Sequence, residues 1–171
     1  AGRFGNGLVL DGNGDYFEVP SFRGLFQDAN FTLSAWIYND SIGVDNDLQD
    51  AAIFSTNGND LNTLLLWYDV NSVGTANRSF SFNLGSTAVS LNRINAPDSL
   101  AVQNSWQHVV MVVNGDQHIL YIDGEEVVMT DFAGTNQAHI EGGSLRLGSW
   151  DNSANHYFSG VLDEVRIYQS A

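Results

Sequence analysis

The chain has 171 residues, 43% hydrophobic and 12% aromatic, with no cysteine and six arginines but no lysine against twenty acidic residues, for a formal charge of −14. The length suits one domain with a sizeable core, and the missing cysteine excludes disulfides and metal–thiolate sites. Acidity this strong repels phosphate backbones and anionic lipid surfaces, so no nucleic acid is expected as partner, while hard cations, calcium above all, suit the carboxylates.

Along the chain apolar residues recur at period two, and Gly, Asn, Asp and Ser bound the segments, so the reading is strand nearly throughout. Leu8 and Leu10 lead into the turn Asp11-Gly12-Asn13-Gly14-Asp15, and Tyr16 to Val19 is extended up to Pro20. From Phe31 to Tyr38 the chain alternates, with Phe31, Leu33, Ala35 and Ile37 on one face and Thr32, Ser34, Trp36 and Tyr38 on the other. Further strands are expected at Ala52 to Ser55, Leu64 to Tyr68, Arg78 to Leu84 and Trp106 to Val113. Asn114-Gly115-Asp116 and Asp123-Gly124 read as hairpin turns around Ile119 to Ile122, because Asn-Gly and Asp-Gly tolerate the positive φ of a tight turn. Val127 to Met129, Leu145 to Leu147 and Val161 to Tyr168 complete the set, while 40–50 and 85–104 are long enough to be functional loops. Many short strands without crossover helices imply an all-β fold, a two-sheet antiparallel β-sandwich or jelly roll over residues 1–171 as a single unit. No apolar run is long enough to insert in a membrane, and the start at Ala1 without Met is expected of a module cut from a larger protein.

The opening Gly2-Arg3-Phe4-Gly5-Asn6-Gly7-Leu8 through Asp15-Tyr16, the strand Phe31 to Trp36, the run Trp106-Gln107-His108-Val109-Val110, the hairpin Tyr121 to Gly124 and the close Phe158 to Tyr168 together resemble the laminin-G-like jelly-roll modules of the concanavalin A-like superfamily. The resemblance implies two curved antiparallel sheets with the terminal strands adjacent. It also implies an appendage of an extracellular, bacterial protein that binds glycans or cell-surface proteins and often holds calcium.

Four clusters are candidates for recognition. Asp11, Asn13 and Asp15 place oxygen ligands at alternate positions of a glycine-rich turn, the first half of a calcium-loop spacing, but Tyr16 and Phe22 stand where that pattern needs Gly and Glu. Asp163 is expected to complete a calcium shell, since its parity groups it with Val161, Val165 and Ile167 on an inward face and the terminal strands should bring it to the Asp11 turn; the alternative is hydrogen bonding to backbone amides. Asp45 and Asp47, in the acidic loop 40–50, are candidates for a second ion or for a solvated surface.

Trp67 with Asp69, and Trp150 with Asp151, Asn152, His156 and Tyr157, pair an aromatic face with polar groups as a sugar site requires, although a Trp at a strand end can also close the sandwich. Trp36 and Trp106 are expected to be packing residues, and His108 a core or hydrogen-bonded one. No Glu-x-Asp-x-x-Glu series, His-Glu-x-x-His pair or Gly-x-Ser-x-Gly elbow occurs, so the expectation is not an enzyme but a calcium-stabilised carbohydrate-binding or adhesion module. The alternative is a protein–protein adhesion domain or homodimer, joined to other domains of a parent chain.

Overall fold

The computed structural model describes residues 1–20, 30–40, 51–56, 64–70, 78–84, 92–97, 99–132, 144–150 and 157–171, with no helix among them. Among these residues twelve strands form two antiparallel sheets. One has the order β1 (Leu8–Asp11), β12 (Ser159–Tyr168), β3 (Asn30–Asn39), β8 (Trp106–Asn114), β9 (Gln117–Ile122) and β10 (Glu125–Asp131). The other has the order β2 (Phe17–Pro20), β11 (Ser144–Leu147), β4 (Ala51–Thr56), β5 (Leu64–Val70), β6 (Arg78–Leu84) and β7 (Asn92–Asn95).

Alternation builds the core. Phe31, Leu33, Ala35 and Ile37 of β3, Val109, Met111 and Val113 of β8, and Leu120 of β9 meet Phe54, Phe80, Phe82 and Leu145 of the opposite sheet in one buried cluster. Full burial of each large side chain contributes roughly 1.5–3 kcal/mol. The Asp123-Gly124 hairpin forms as the sequence predicts, both residues at positive φ (53° and 87°), which matches the twist of its flanking strands.

The strand β7 lies inside the stretch expected to be a long loop. Its four residues carry one buried apolar side chain, Ile94, too few for an alternating signal, and it joins the sheet through β6.

The terminal strands pair as expected, but their register corrects the expectation for Asp163. Leu8 faces Leu162 and Asp11 faces Ser159, so Asp163 lies past the start of β1 while the Asp11 turn lies past its end. At roughly 3.3 Å per residue, four positions separate them by about 13 Å. The parity expectation fails too. A β-bulge interrupts the pairing of β12 with β3 between Asp163 and Arg166, with Glu164 at φ 49°, and it switches faces. Leu162 before the bulge and Val165 and Ile167 after it pack on the core, which leaves Val161 outside their set.

Candidate functional site: an aromatic groove on the first sheet

The bulge has a second effect, because it turns Glu164, Arg166 and Tyr168 to the face of the sheet away from the core. There they meet the outward residues of β3 and β8. Register places Arg166 opposite Ser34 and Tyr168 opposite Thr32, Ser34 opposite Val110, and Trp36 opposite His108. Thr32, Ser34 and Val110 are small and form a floor, while Trp36, His108, Phe4, Glu164, Arg166 and Tyr168 rise around it and enclose a groove of about 540 Å³. Sugar- and drug-sized ligands occupy sites of roughly 300–1,000 Å³.

Trp36 is the centre of the wall. His108 stacks on one side of its ring, with centroids 5.0 Å apart and planes at 26°. The Arg3 guanidinium lies over the same ring, 5.0 Å from its centre, and Phe4 meets it in a T-shaped contact with centroids 5.9 Å apart and planes at 78°. Tyr38 and Trp106, 5.5 Å apart, continue the aromatic band along the same face. Trp36, Trp106 and His108 are all half-buried. The two tryptophans expected to be packing residues do pack on neighbouring rings, but on the outer face: the parity that buries Ala35, Ile37 and Val109 directs Trp36 and Trp106 outward. That signal was in the sequence, in Thr32-x-Ser34-x-Trp36-x-Tyr38, and the resemblance overrode it.

Asp163 is buried, 7% exposed, and its carboxylate is spent on two backbone amides: Oδ2 accepts from Phe4 N–H (2.7 Å) and Oδ1 from Glu164 N–H (2.8 Å). These are the backbone hydrogen bonds that the sequence offered as the alternative to a calcium contact. One carboxylate ties the N-terminal segment to the bulge and so holds two walls of the groove together. The fit is close, since a Cβ on Gly2 would lie 2.6 Å from Asp163 Oδ2.

Charge in the groove is paired unevenly. Arg166 forms an ion pair with Glu164 and is held protonated first by a hydrogen bond with Tyr168 and then by Glu164. Burial lowers the His108 pKa, Asp123 opposes that shift, and Arg166 reinforces it. Asp123 is placed to do so by the hairpin turn, where its side chain accepts from His108 N–H (2.8 Å) and its own N–H donates to the His108 carbonyl (2.8 Å).

The other sequence candidates lie elsewhere. Asp11, Asn13 and Asp15 are exposed, and Asp11 Oδ1 accepts from Asn13 N–H (2.8 Å), closing the turn locally. Ser159, opposite Asp11, donates to Asp40 Oδ1 (2.8 Å), so the Asp11 turn and the start of the acidic loop share one end of the sheet. Among the described residues no three His, Asp or Glu side chains gather as a metal site. Asp45, Asp47, Asp151, Asn152 and His156 fall outside the described residues.

On the second sheet Trp150 is half-buried against Ala52, and its carbonyl accepts from Ser55 Oγ (2.7 Å). Trp67 pairs by register with that same Ala52, and Asp69 with Ser79; their description stops at the backbone. Tyr157 is half-buried and bridges to Ser149.

Comparison with known proteins bears on the same architecture. The model of the Laminin_G_3 family, described as the concanavalin A-like lectin/glucanases superfamily, matches residues 11–171. No curated protein matches by sequence. Among solved structures, the CBM40 of a Ruminococcus gnavus sialidase bound to α2,3-sialyllactose superposes with a TM-score of 0.73 at 14% identity, covering 96% of this chain and 90% of that one. Domain 4 of AbnA, a GH43 extracellular arabinanase from Geobacillus stearothermophilus in complex with arabinotriose, gives 0.69 at 18% identity, covering 99% and 73%. Tailspike protein 2 of an Escherichia coli O157:H7 bacteriophage gives 0.70 at 17% identity and covers 94% of this chain, which spans only 22% of the tailspike's length. At these identities the likeness is one of fold.

Proposed function

This chain belongs to the Laminin_G_3 family of the concanavalin A-like lectin/glucanases superfamily, and on that premise we propose that it is a carbohydrate-binding module of a larger extracellular protein, holding a glycan in the groove beside Trp36 without transforming it. The observation that carries this reading is the groove itself. Trp36, Phe4 and Tyr168 offer apolar edges to sugar C–H groups, while Arg166 and Glu164 offer a donor and an acceptor to hydroxyls, within one cavity of ligand size. The sugars named with the sialidase and arabinanase modules support the class of ligand.

Support for binding without turnover comes from the carboxylates. Retaining hydrolysis needs two about 5 Å apart. Among the described groove-lining residues only Glu164 carries one, and Arg166 engages it. Calcium enters this reading as a stabiliser of the acidic end of the sheet, at the Asp11 turn.

A glycan array followed by calorimetry tests the proposal. Trp36→Ala and Tyr168→Ala should each weaken binding at least about tenfold, the loss expected for a stacking or hydrogen-bonding contact worth about 1.4 kcal/mol. Tyr168 is 44% exposed, so its variant should melt with the parent. Binding that survives both substitutions removes the groove from the reading. Self-association in light scattering, abolished by Phe4→Ser, would favour a protein-contact role for the same face, where Phe4 is 58% exposed.

A further inference from the structure

We propose that the ligand of this groove carries an anionic group, a carboxylate or a sulfate ester on the sugar, and that this group docks on Arg3, which Asp163 holds in position. The proposal rests on the glycan reading above and narrows it.

Cations are scarce in this chain, six arginines against twenty acids. Two of the six border the groove. Arg166 is occupied by Glu164. Arg3 is exposed, and its contacts are the rings of Trp36 (5.0 Å) and Phe4 (5.6 Å); among the described residues no carboxylate pairs with it. A guanidinium laid on aromatic rings keeps its charge and has its plane fixed, while the N–H donors around its edge point outward in the fork that matches a carboxylate or sulfate.

Position is supplied from below. The strap Gly2–Gly7 forms its own turn, Gly2 N–H donating to the Gly5 carbonyl (2.9 Å), and Asp163 anchors it through Phe4 N–H. Both oxygens of Asp163 are taken up by amides, which leaves Glu164 as the one carboxylate lining the groove among the described residues, against two guanidiniums at its border. The formal charge of −14 does not cancel this preference. At physiological salt it is screened over about 8 Å, whereas a contact pair at Arg3 is not. Asp163 is in this sense a positioning residue, and Arg3 a specificity-determining one.

The test is calorimetry of the 171-residue chain with three probes of matched length: an oligogalacturonate, a sulfated galacto-oligosaccharide and an uncharged galacto-oligosaccharide. One charged probe should bind at least about tenfold tighter than the uncharged one, the scale of a charge-assisted hydrogen bond, and which probe it is tells carboxylate from sulfate. Arg3→Gln should erase that preference, so that within the variant the charged and uncharged probes bind with equal affinity. Asp163→Asn should erase it as well and, in amide NMR spectra, move the Phe4 and Glu164 resonances, which a merely destabilised chain would not do selectively. Uncharged probe bound as tightly as either charged one, or a preference that survives Arg3→Gln, overturns the proposal and leaves the glycan reading standing. If no probe binds and no array glycan does, both fall together.

Discussion

The two ends of strand β1 are built from the same ingredients and do opposite things. At its start, Gly2, Gly5 and Gly7 let the chain fold tightly over a buried aspartate, Asp163, whose oxygens are both taken up by amides. At its end, Gly12 and Gly14 space Asp11 and Asp15 around a turn in which the aspartates stay exposed, Asp11 closing onto Asn13 N–H. A glycine-rich acidic segment is therefore not one kind of site. What distinguishes the ends is what β12 presents there: Asp163, beside a bulge at Glu164, for the first, and Ser159 for the second.

The sharpest way to break the contrast is to remove the anchor. Asp163→Ala strips two part-buried amides of their acceptor, each costing about 1–3 kcal/mol, so we expect a loss of about 3 kcal/mol. For a chain of this length that is a fall in melting temperature of roughly 6–12 °C. The corresponding change at the other end, Asp11→Ala, gives up one exposed turn bond and should cost less than about 1 kcal/mol. Equal losses at both ends in thermal melts would mean that the start of β1 is as loosely held as its end.

A smaller effect separates the ends by pH. His108, in the wall beside the anchored strap, has its pKa depressed chiefly by burial, against the pull of Asp123. The unfolded chain therefore binds more protons than the folded one between the depressed value and the ordinary imidazole value of about 6.5. The stability tied to His108 is complete above that ordinary value and is lost as pH falls through the depressed one. Melting temperature should step down on acidification through this window, and His108→Gln should flatten the step. The shift should be smaller than that of Asp163→Ala, because His108 is only half-buried and solvent screens its charge.

Much of the fold was legible because alternation is a strong signal. The core of β3 and the Asp123-Gly124 hairpin follow from period two and turn chemistry, and the pairing of the terminal strands from the family resemblance. The site was legible in its pieces and misread in its assembly. Trp36 stood on the polar side of an alternating strand, and direction relative to the core, not residue type, decided its role. The β12 bulge was not legible: a left-handed residue at Glu164 has no glycine to announce it, and the face switch it causes broke the parity expected to group Asp163 with Val165 and Ile167. Strand β7, with Ile94 as its buried apolar residue, owes its existence to β6 beside it.

Calcium gives the cleanest separation of the ends. With Asp163 committed to amides, an ion at the Asp11 turn draws on Asp11, Asn13, Asp15 and backbone carbonyls, an open donor set of the kind found in extracellular sites with Kd of roughly 10⁻⁴–10⁻³ M. At a tenfold excess over Kd such an ion adds about 1.4 kcal/mol, which raises the melting temperature of a chelator-treated sample by roughly 3–6 °C. Asp11→Asn should abolish that rise. Asp163→Asn should lower the baseline yet leave the calcium increment whole, because the register sets about 13 Å between the two aspartates. A calcium response lost in Asp163→Asn and kept in Asp11→Asn would put the ion at the strap and reverse the roles of the two ends.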